Sequence, residues 1–161
     1  MRKKVVAGMM VTLLILSMFT FVFSVRQVGA SGTIYILADG SIEPSSAPIQ
    51  RDGDIYFLTD NIYDEIVVER SSIVVDGRGH TVQGGGAGTG IYLRSYADNV
   101  TIKNLQIQNF YYGIDVASSS NVIHNNIMVY CSVGIWMAEV ADTKITENRI
   151  TYNDYGINTN T

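Results

Sequence analysis

The chain has 161 residues, which is long enough for one domain with its own core and short for two. Its formal net charge is −4, and an acidic chain repels phosphate backbones, so nucleic acid is excluded as an expected partner. Cys131 is the only cysteine, which excludes an intrachain disulfide and leaves packing as the source of stability.

Residues 1–30 are predicted to form an export leader. Three basic residues at positions 2–4 precede an apolar run over residues 5–25, and the small residues that a signal peptidase requires follow the run. The run is close to the length that spans a bilayer, so an uncleaved N-terminal membrane anchor is the alternative to a cleaved signal peptide. Both interpretations place residues 31–161 outside the cytoplasm, where the protein is secreted, periplasmic or held at the cell surface.

The exported part is more acidic than the whole chain. Residues 1–30 contain four of the eleven basic residues and none of the fifteen acidic ones, so the remainder has eight more acids than bases. Such a surface also repels acidic polysaccharides unless a cation bridges the charges.

Residues 31–72 contain the apolar segments IYFL and IVV at irregular spacing, whereas residues 73–161 repeat. The last three repeats share the pattern I-x-x-[NL]-x-[IM]-x-x-[NCF]-x-x-G-I. A fixed period of this size indicates a stacked repeat architecture, and the short apolar alternation within each repeat is strand periodicity. The Gly-Ile pairs recur every 21–23 residues, beginning at Gly90, Gly113, Gly134 and Gly156.

The sequence therefore predicts an all-β fold, a parallel β-solenoid with about four regular rungs of 21–23 residues. Each rung makes three short strands and three tight turns, and successive rungs lie about 4.8 Å apart. Residues 31–72 are predicted to form an N-terminal cap and an irregular first circuit, because an open solenoid end exposes strand edges. At the other end Ile157 is expected to be uncovered, which implies either a truncated chain with a missing C-terminal continuation or end-to-end self-association.

Three further features are predicted from the repeat. Asn126 and Asn148 are expected to take left-handed φ at a sharp turn and to hydrogen-bond to each other between rungs. Cys131 is expected to be a buried apolar residue. Tyr130 is expected to stack on Tyr152.

These rungs, preceded by SSIVVDGRGHTVQG, resemble the right-handed parallel β-helix of NosD-like proteins and of the wider group of carbohydrate-binding and sugar-hydrolysing β-helix domains. The resemblance covers about residues 55–161 and implies a right-handed parallel β-helix. It also implies a periplasmic copper-binding role, since NosD is named for copper binding and for nitrous oxide reductase maturation. Only rung residues match, and no functional residue of the family is found at a position of this chain.

The residue after each Gly-Ile pair is predicted to point outward, because side chains alternate along a strand. Sugars bind through flat apolar faces on aromatic rings and through hydroxyls on carboxylates and amides, so this column suits polysaccharide. The alternative is that its aromatic residues are strand formers packed on their neighbours. The column consists of Tyr92, Asp115, Trp136 and Asn158.

No catalytic residue is predicted. Asp115 has Tyr92 and Trp136 on the adjacent rungs, so the paired carboxylates that sugar hydrolysis needs do not emerge. The expected function is therefore an exported, non-catalytic module that binds polysaccharide or serves as a structural element. The alternatives are a fragment of a β-helix polysaccharide lyase or hydrolase and a NosD-like periplasmic copper-binding protein.

Four side chains are of types that cuprous copper prefers as ligands: His124, Met128, Cys131 and Met137. Met128 and Cys131 are predicted to face the core, and His124 is predicted to point away from them. No metal or cofactor site is therefore predicted, at these residues or at Met137.

Overall fold

The structure is a computed structural model that describes residues 32–160. The predicted leader, including the apolar run over residues 5–25, lies outside the described residues. Over residues 32–160 no helix is long and apolar enough to span a membrane. The described residues form seventeen strands and no helix: β1 Ile34–Ile36, β2 Ile42–Glu43, β3 Ile49–Asp52, β4 Ile55–Leu58, β5 Ile66–Val68, β6 Val74–Asp76, β7 Thr81–Gln83, β8 Thr89–Leu93, β9 Thr101–Lys103, β10 Gln106–Gln108, β11 Tyr112–Val116, β12 Val122–His124, β13 Ile127–Val129, β14 Val133–Ala138, β15 Lys144–Thr146, β16 Arg149–Thr151 and β17 Tyr155–Asn160.

The strands form three sheets. Sheet A has the order β17-β14-β11-β8-β5-β1-β2, sheet B the order β15-β12-β9-β6-β4-β3 and sheet C the order β16-β13-β10-β7. From β6 onward the chain visits sheets B, C and A in turn, and each strand pairs in parallel with the equivalent strand of the next rung. The predicted parallel β-solenoid is confirmed, with about five turns.

The N-terminal part of the described chain differs from the rungs in having antiparallel pairs. Strand β1 pairs with β2 and strand β3 pairs with β4, and each pair is antiparallel. The hydroxyl of Tyr56, which is fully buried, donates a 2.9 Å hydrogen bond to the carbonyl of Gly40. This bond ties the two hairpins together.

Stacked isoleucines form two columns of the core, as the repeat predicts. Ile91, Ile114, Ile135 and Ile157 are register partners along sheet A, and Ile102, Ile123 and Ile145 are partners along sheet B. In the sheet A column, the first three isoleucines are completely buried, whereas Ile157 is 48% exposed.

The glycine of each of the first three Gly-Ile pairs is required by the close approach of the next rung. A β-carbon at Gly113 would lie 2.5 Å from the carbonyl oxygen of Gly134, and one at Gly134 would lie 2.6 Å from that of Gly156. Real β-carbons do not approach a backbone oxygen so closely, so only glycine fits at these two positions.

The prediction of left-handed φ at Asn126 and Asn148 is wrong. The left-handed residues of this turn are Asn125 and Glu147, which come immediately before. Asn126 instead points inward and is 1% exposed. Its Oδ1 accepts a 3.0 Å hydrogen bond from the N–H of Leu105, and its Nδ2 donates a 3.0 Å bond to Oδ1 of Asn148. The Asn126 side chain thus accepts a hydrogen bond from a backbone N–H that has no strand partner at the corner. The predicted hydrogen bond between Asn126 and Asn148 is confirmed.

Left-handed residues form a column at each of the three corners of the solenoid. Most of them are of types that tolerate this conformation, because a short polar side chain can bond locally to the backbone. The columns are Ser72, Asn99, Ser120 and Asp142 between sheets A and B; Arg78, Asn104, Asn125 and Glu147 between sheets B and C; and Asn109, Tyr130 and Tyr152 between sheets C and A.

Candidate functional site

The predicted column lies on the outer face of sheet A. Tyr92 pairs with Asp115, Asp115 with Trp136, and Trp136 with Asn158, so the four residues follow one another on adjacent strands. All four are half-buried, in contrast to the fully buried isoleucine that precedes each of the first three. Two aromatic rings therefore flank one carboxyl group along the solenoid axis.

Tyr112 adds a further ring to this face. It lies at the start of β11, three residues before Asp115, and its ring centroid is 5.8 Å from that of Trp136. Tyr111 meets Tyr112 edge to face at 4.7 Å. The aromatic surface therefore extends sideways from the column toward the corner between sheets C and A.

Glu65 and Arg94 bring charge to the same face. The Arg94 guanidinium carbon lies 5.1 Å from the centre of the Tyr92 ring, and Arg94 Nε lies 3.8 Å from Glu69 Oε1. Burial raises the pKa of the Glu65 carboxyl; the Arg94 charge opposes this shift and the Asp115 charge adds to it. Glu65 and Asp115 are therefore electrostatically coupled, although they lie two strands apart.

The Asp115 carboxyl is costly to ionise where it lies. Burial between its neighbours raises its pKa above the ordinary value. A carboxyl group that loses water on folding without gaining an ion pair destabilises the folded state at neutral pH. Asp115 is thus poorly explained as a stabilising residue, whereas it is well placed to accept hydrogen bonds from a ligand.

The corner between sheets C and A presents a second group of aromatic residues. Tyr130 and Tyr152 are 60% and 72% exposed, and their rings stack with centroids 5.6 Å apart and an interplanar angle of 19°. The predicted stacking is confirmed. Both residues have left-handed backbones, with φ of 57° and 59°.

The stacking of these two rings does not account for their backbone conformation. A left-handed residue with a β-carbon costs about 1–2 kcal/mol, and asparagine, which stands at the equivalent Asn109, is among the few types that visit it routinely. A stacked aromatic pair contributes about 0.5–1.5 kcal/mol. Two strained tyrosines therefore cost more than their mutual contact returns.

Three of the side chains weighed for copper, those of Met128, Cys131 and His124, do not converge. Met128 is fully buried in the core, and Cys131 is buried there as predicted, its thiol pKa raised by burial. His124 points outward, with Nδ1 3.2 Å from Thr146 Oγ1 and Nε2 3.8 Å from Glu147 Oε2. Within residues 32–160 no three His, Cys, Asp or Glu side chains form a group able to hold a metal ion.

Sequence reasoning missed Glu65, Arg94 and Tyr112. Glu65 lies in the irregular first circuit, where no Gly-Ile pair marks the column of each residue. Arg94 and Tyr112 belong to regular rungs. Arg94 lies two positions after Tyr92, so alternation predicts that it points outward, whereas Tyr112 lies three positions before Asp115 and is out of step with the alternation. Extending the column sideways by alternation would have found Arg94 but not Tyr112.

The chain was compared with known families, curated proteins and solved structures. The family described as "Periplasmic copper-binding protein (NosD)" matches residues 46–161. Neither the curated proteins nor the solved structures include a match to this chain.

Proposed function

Since the chain belongs to the NosD family of periplasmic copper-binding proteins, we propose that it is an extracytoplasmic module that binds neutral polysaccharide on the outer face of sheet A. Its extracytoplasmic location follows from the family, and its β-helix fold from the structure. The binding site consists of Tyr92, Asp115, Trp136 and Asn158, with Tyr112 beside Trp136.

The observation that carries this proposal is the register of these residues. Tyr92, Asp115 and Trp136 are direct neighbours on β8, β11 and β14, so ring, carboxyl and ring follow at the strand spacing of about 4.8 Å. This advance is comparable with that of one unit in an extended pyranose chain. The rings offer apolar surface to sugar faces, and Asp115 and Asn158 offer acceptors to sugar hydroxyls.

Charge favours a neutral ligand. Glu65, Glu69 and Asp115 lie on or beside this face, and Arg94 is the basic residue that interacts with them. A uronic acid polymer would meet repulsion there, whereas a neutral chain would not.

Copper binding, which the family description names, does not fit the described residues. The thiol of Cys131 and the thioether of Met128 are enclosed by core side chains, and His124 lies on the outside, paired with Thr146 and Glu147. Cuprous copper needs soft ligands that converge on one point, and these do not. Copper therefore has no part in the proposed function.

Trp136 provides the test, because it is the only tryptophan and its fluorescence reports on the proposed site directly. Titrating a panel of neutral and acidic polysaccharides is expected to change the emission with neutral polymers only. Trp136→Ala is expected to abolish retention of the protein on the same polymers in affinity electrophoresis, and Trp136→Phe to keep part of it.

Tyr96→Ala is the matched control, since Tyr96 is a 56% exposed aromatic residue outside this face. Unchanged retention of the Trp136→Ala protein, or no retention of the wild type on any polymer, would overturn the proposal. Release of reducing ends from a retained polymer would instead favour the hydrolase alternative.

A further inference from the structure

The corner between sheets C and A is exceptional in the kind of residue that it exposes. Its three turns are residues 109–111, 130–132 and 152–154, and three of these nine residues are exposed tyrosines. The other two corners place mostly serine, asparagine or acidic residues at the left-handed position, whereas this one places Tyr130 and Tyr152 there. These nine residues carry one charged side chain, that of Asp154.

Tyr130 and Tyr152 hold a left-handed backbone whose energetic cost exceeds the stabilisation from the stacking of their rings. Residues kept in unfavourable backbone conformations concentrate at functional sites, and an observed outlier of this kind is a reason to look for a ligand. Asn109, one rung earlier, has the same left-handed φ with a residue that suits it. Asparagine at the two equivalent positions would therefore hold the same turn with less backbone strain.

This corner is continuous with the outer face of sheet A. Tyr111, which belongs to the corner, contacts Tyr112 edge to face at 4.7 Å, and Tyr112 lies 5.8 Å from Trp136. Aromatic rings thus lead from the proposed polysaccharide site around to the exposed corner.

We propose that Tyr130 and Tyr152 form a second contact site for the same neutral polysaccharide, so that one module engages a polymer at two places. The inference rests on the proposed function of the Trp136 face. The exposed rings give apolar surface with a hydroxyl at its edge, and the low charge of the corner suits a ligand without charge.

Two contact sites on one polymer raise affinity for long chains above that for short ones, because the second contact forms within an existing complex. A short oligosaccharide that fills only the Trp136 site gains nothing from the corner. The length dependence of binding therefore separates the two sites.

The test compares wild type with the double variant Tyr130→Asn, Tyr152→Asn, and uses Tyr96→Asn as a control for loss of an exposed tyrosine. Binding of a neutral polysaccharide and of a trisaccharide cut from it is measured by Trp136 fluorescence. The double variant is expected to bind the polymer about tenfold more weakly, equivalent to 1.4 kcal/mol, with trisaccharide affinity unchanged. Its thermal midpoint is expected to equal or exceed that of wild type, because asparagine suits the left-handed backbone.

Equal polymer affinity of the double variant and wild type would overturn this inference while leaving the Trp136 site in place. A lower thermal midpoint of the double variant would also overturn it, since the rings would then be structural. If neither protein binds any polymer, the proposed function fails and this inference fails with it.

Discussion

Replacing Gly113 by alanine is expected to destabilise the solenoid by about 1–3 kcal/mol, the usual cost of forcing an extra methyl group into a packed site. The new β-carbon would lie 2.5 Å from the carbonyl oxygen of Gly134 and 3.5 Å from Cys131 Sγ. The first of these atoms belongs to the backbone of the next rung and cannot rotate away. Relief requires β11 and β14 to separate, which weakens their hydrogen bonds.

The same substitution at Gly156 provides a matched control within the same column. The nearest atom to a β-carbon there is Ile150 Cγ2 at 3.8 Å, an ordinary contact. Gly156→Ala keeps the benefit of a less flexible unfolded chain, about 0.4–1 kcal/mol, without the clash. The two variants are therefore expected to shift stability in opposite directions.

Thermal unfolding followed by circular dichroism measures both effects. For a domain of this size, 1 kcal/mol shifts the midpoint by about 3–5 °C. Gly113→Ala is expected to fall below wild type and Gly156→Ala to match or exceed it. Equal midpoints for the two variants would refute the argument that rung contact fixes the glycine column.

Two further predictions concern the polar side chains of Asn126 and Asp115. Asn126→Ala removes the acceptor of the Leu105 N–H and leaves a cavity, so urea denaturation is expected to show a loss of about 2–4 kcal/mol, and a loss below about 1 kcal/mol would contradict the assigned bonds. Burial raises the pKa of Asp115, so the folded state holds that proton more tightly than the unfolded state, and stability falls as pH rises from the ordinary value of 3.8 through the folded value. Asp115→Asn is therefore expected to raise the thermal midpoint at pH 7, where loss of the Asp115 charge also removes its repulsion of the Glu65 carboxylate. At pH 3 the substitution is expected to leave the midpoint unchanged. A midpoint that rises at pH 3 and not at pH 7 would contradict the direction of the Asp115 pKa shift.

The regular rungs were predictable because one signal repeats. Each Gly-Ile pair fixes the position of its rung, and alternation then fixes the facing of Asp115 and Trp136. The isoleucine columns and the outer column follow from these two rules without any knowledge of the turns.

The turns were less predictable, because a turn residue is selected by local hydrogen bonds that a pattern does not display. Asn125 and Asn126 are adjacent and chemically identical, yet Asn125 is left-handed and Asn126 points into the core. Either one suits a sharp turn by type. The decision depends on the Leu105 N–H of the preceding rung, which is brought within reach only when the rungs stack.

The same limit applies to Glu65 and Asp115. They are 50 positions apart in the sequence, in an irregular circuit and a regular rung, and their charges interact because only strand β8 separates β5 from β11 in sheet A. No spacing rule derived from the regular rungs reaches into residues 31–72.

The identical register between regular rungs has a consequence for how such a protein can change over generations. A tandem duplication of residues 113–133 would insert one more rung, which would stack on its own copy in the same register, while the rungs on either side would keep the contacts they already make. The outer face would gain a second copy of Asp115 and lengthen by one strand, about 4.8 Å, while the hairpins near the N-terminus stayed as they are. The reach of such a surface along a polymer can therefore grow in whole steps, and no new fold has to evolve to match a longer ligand.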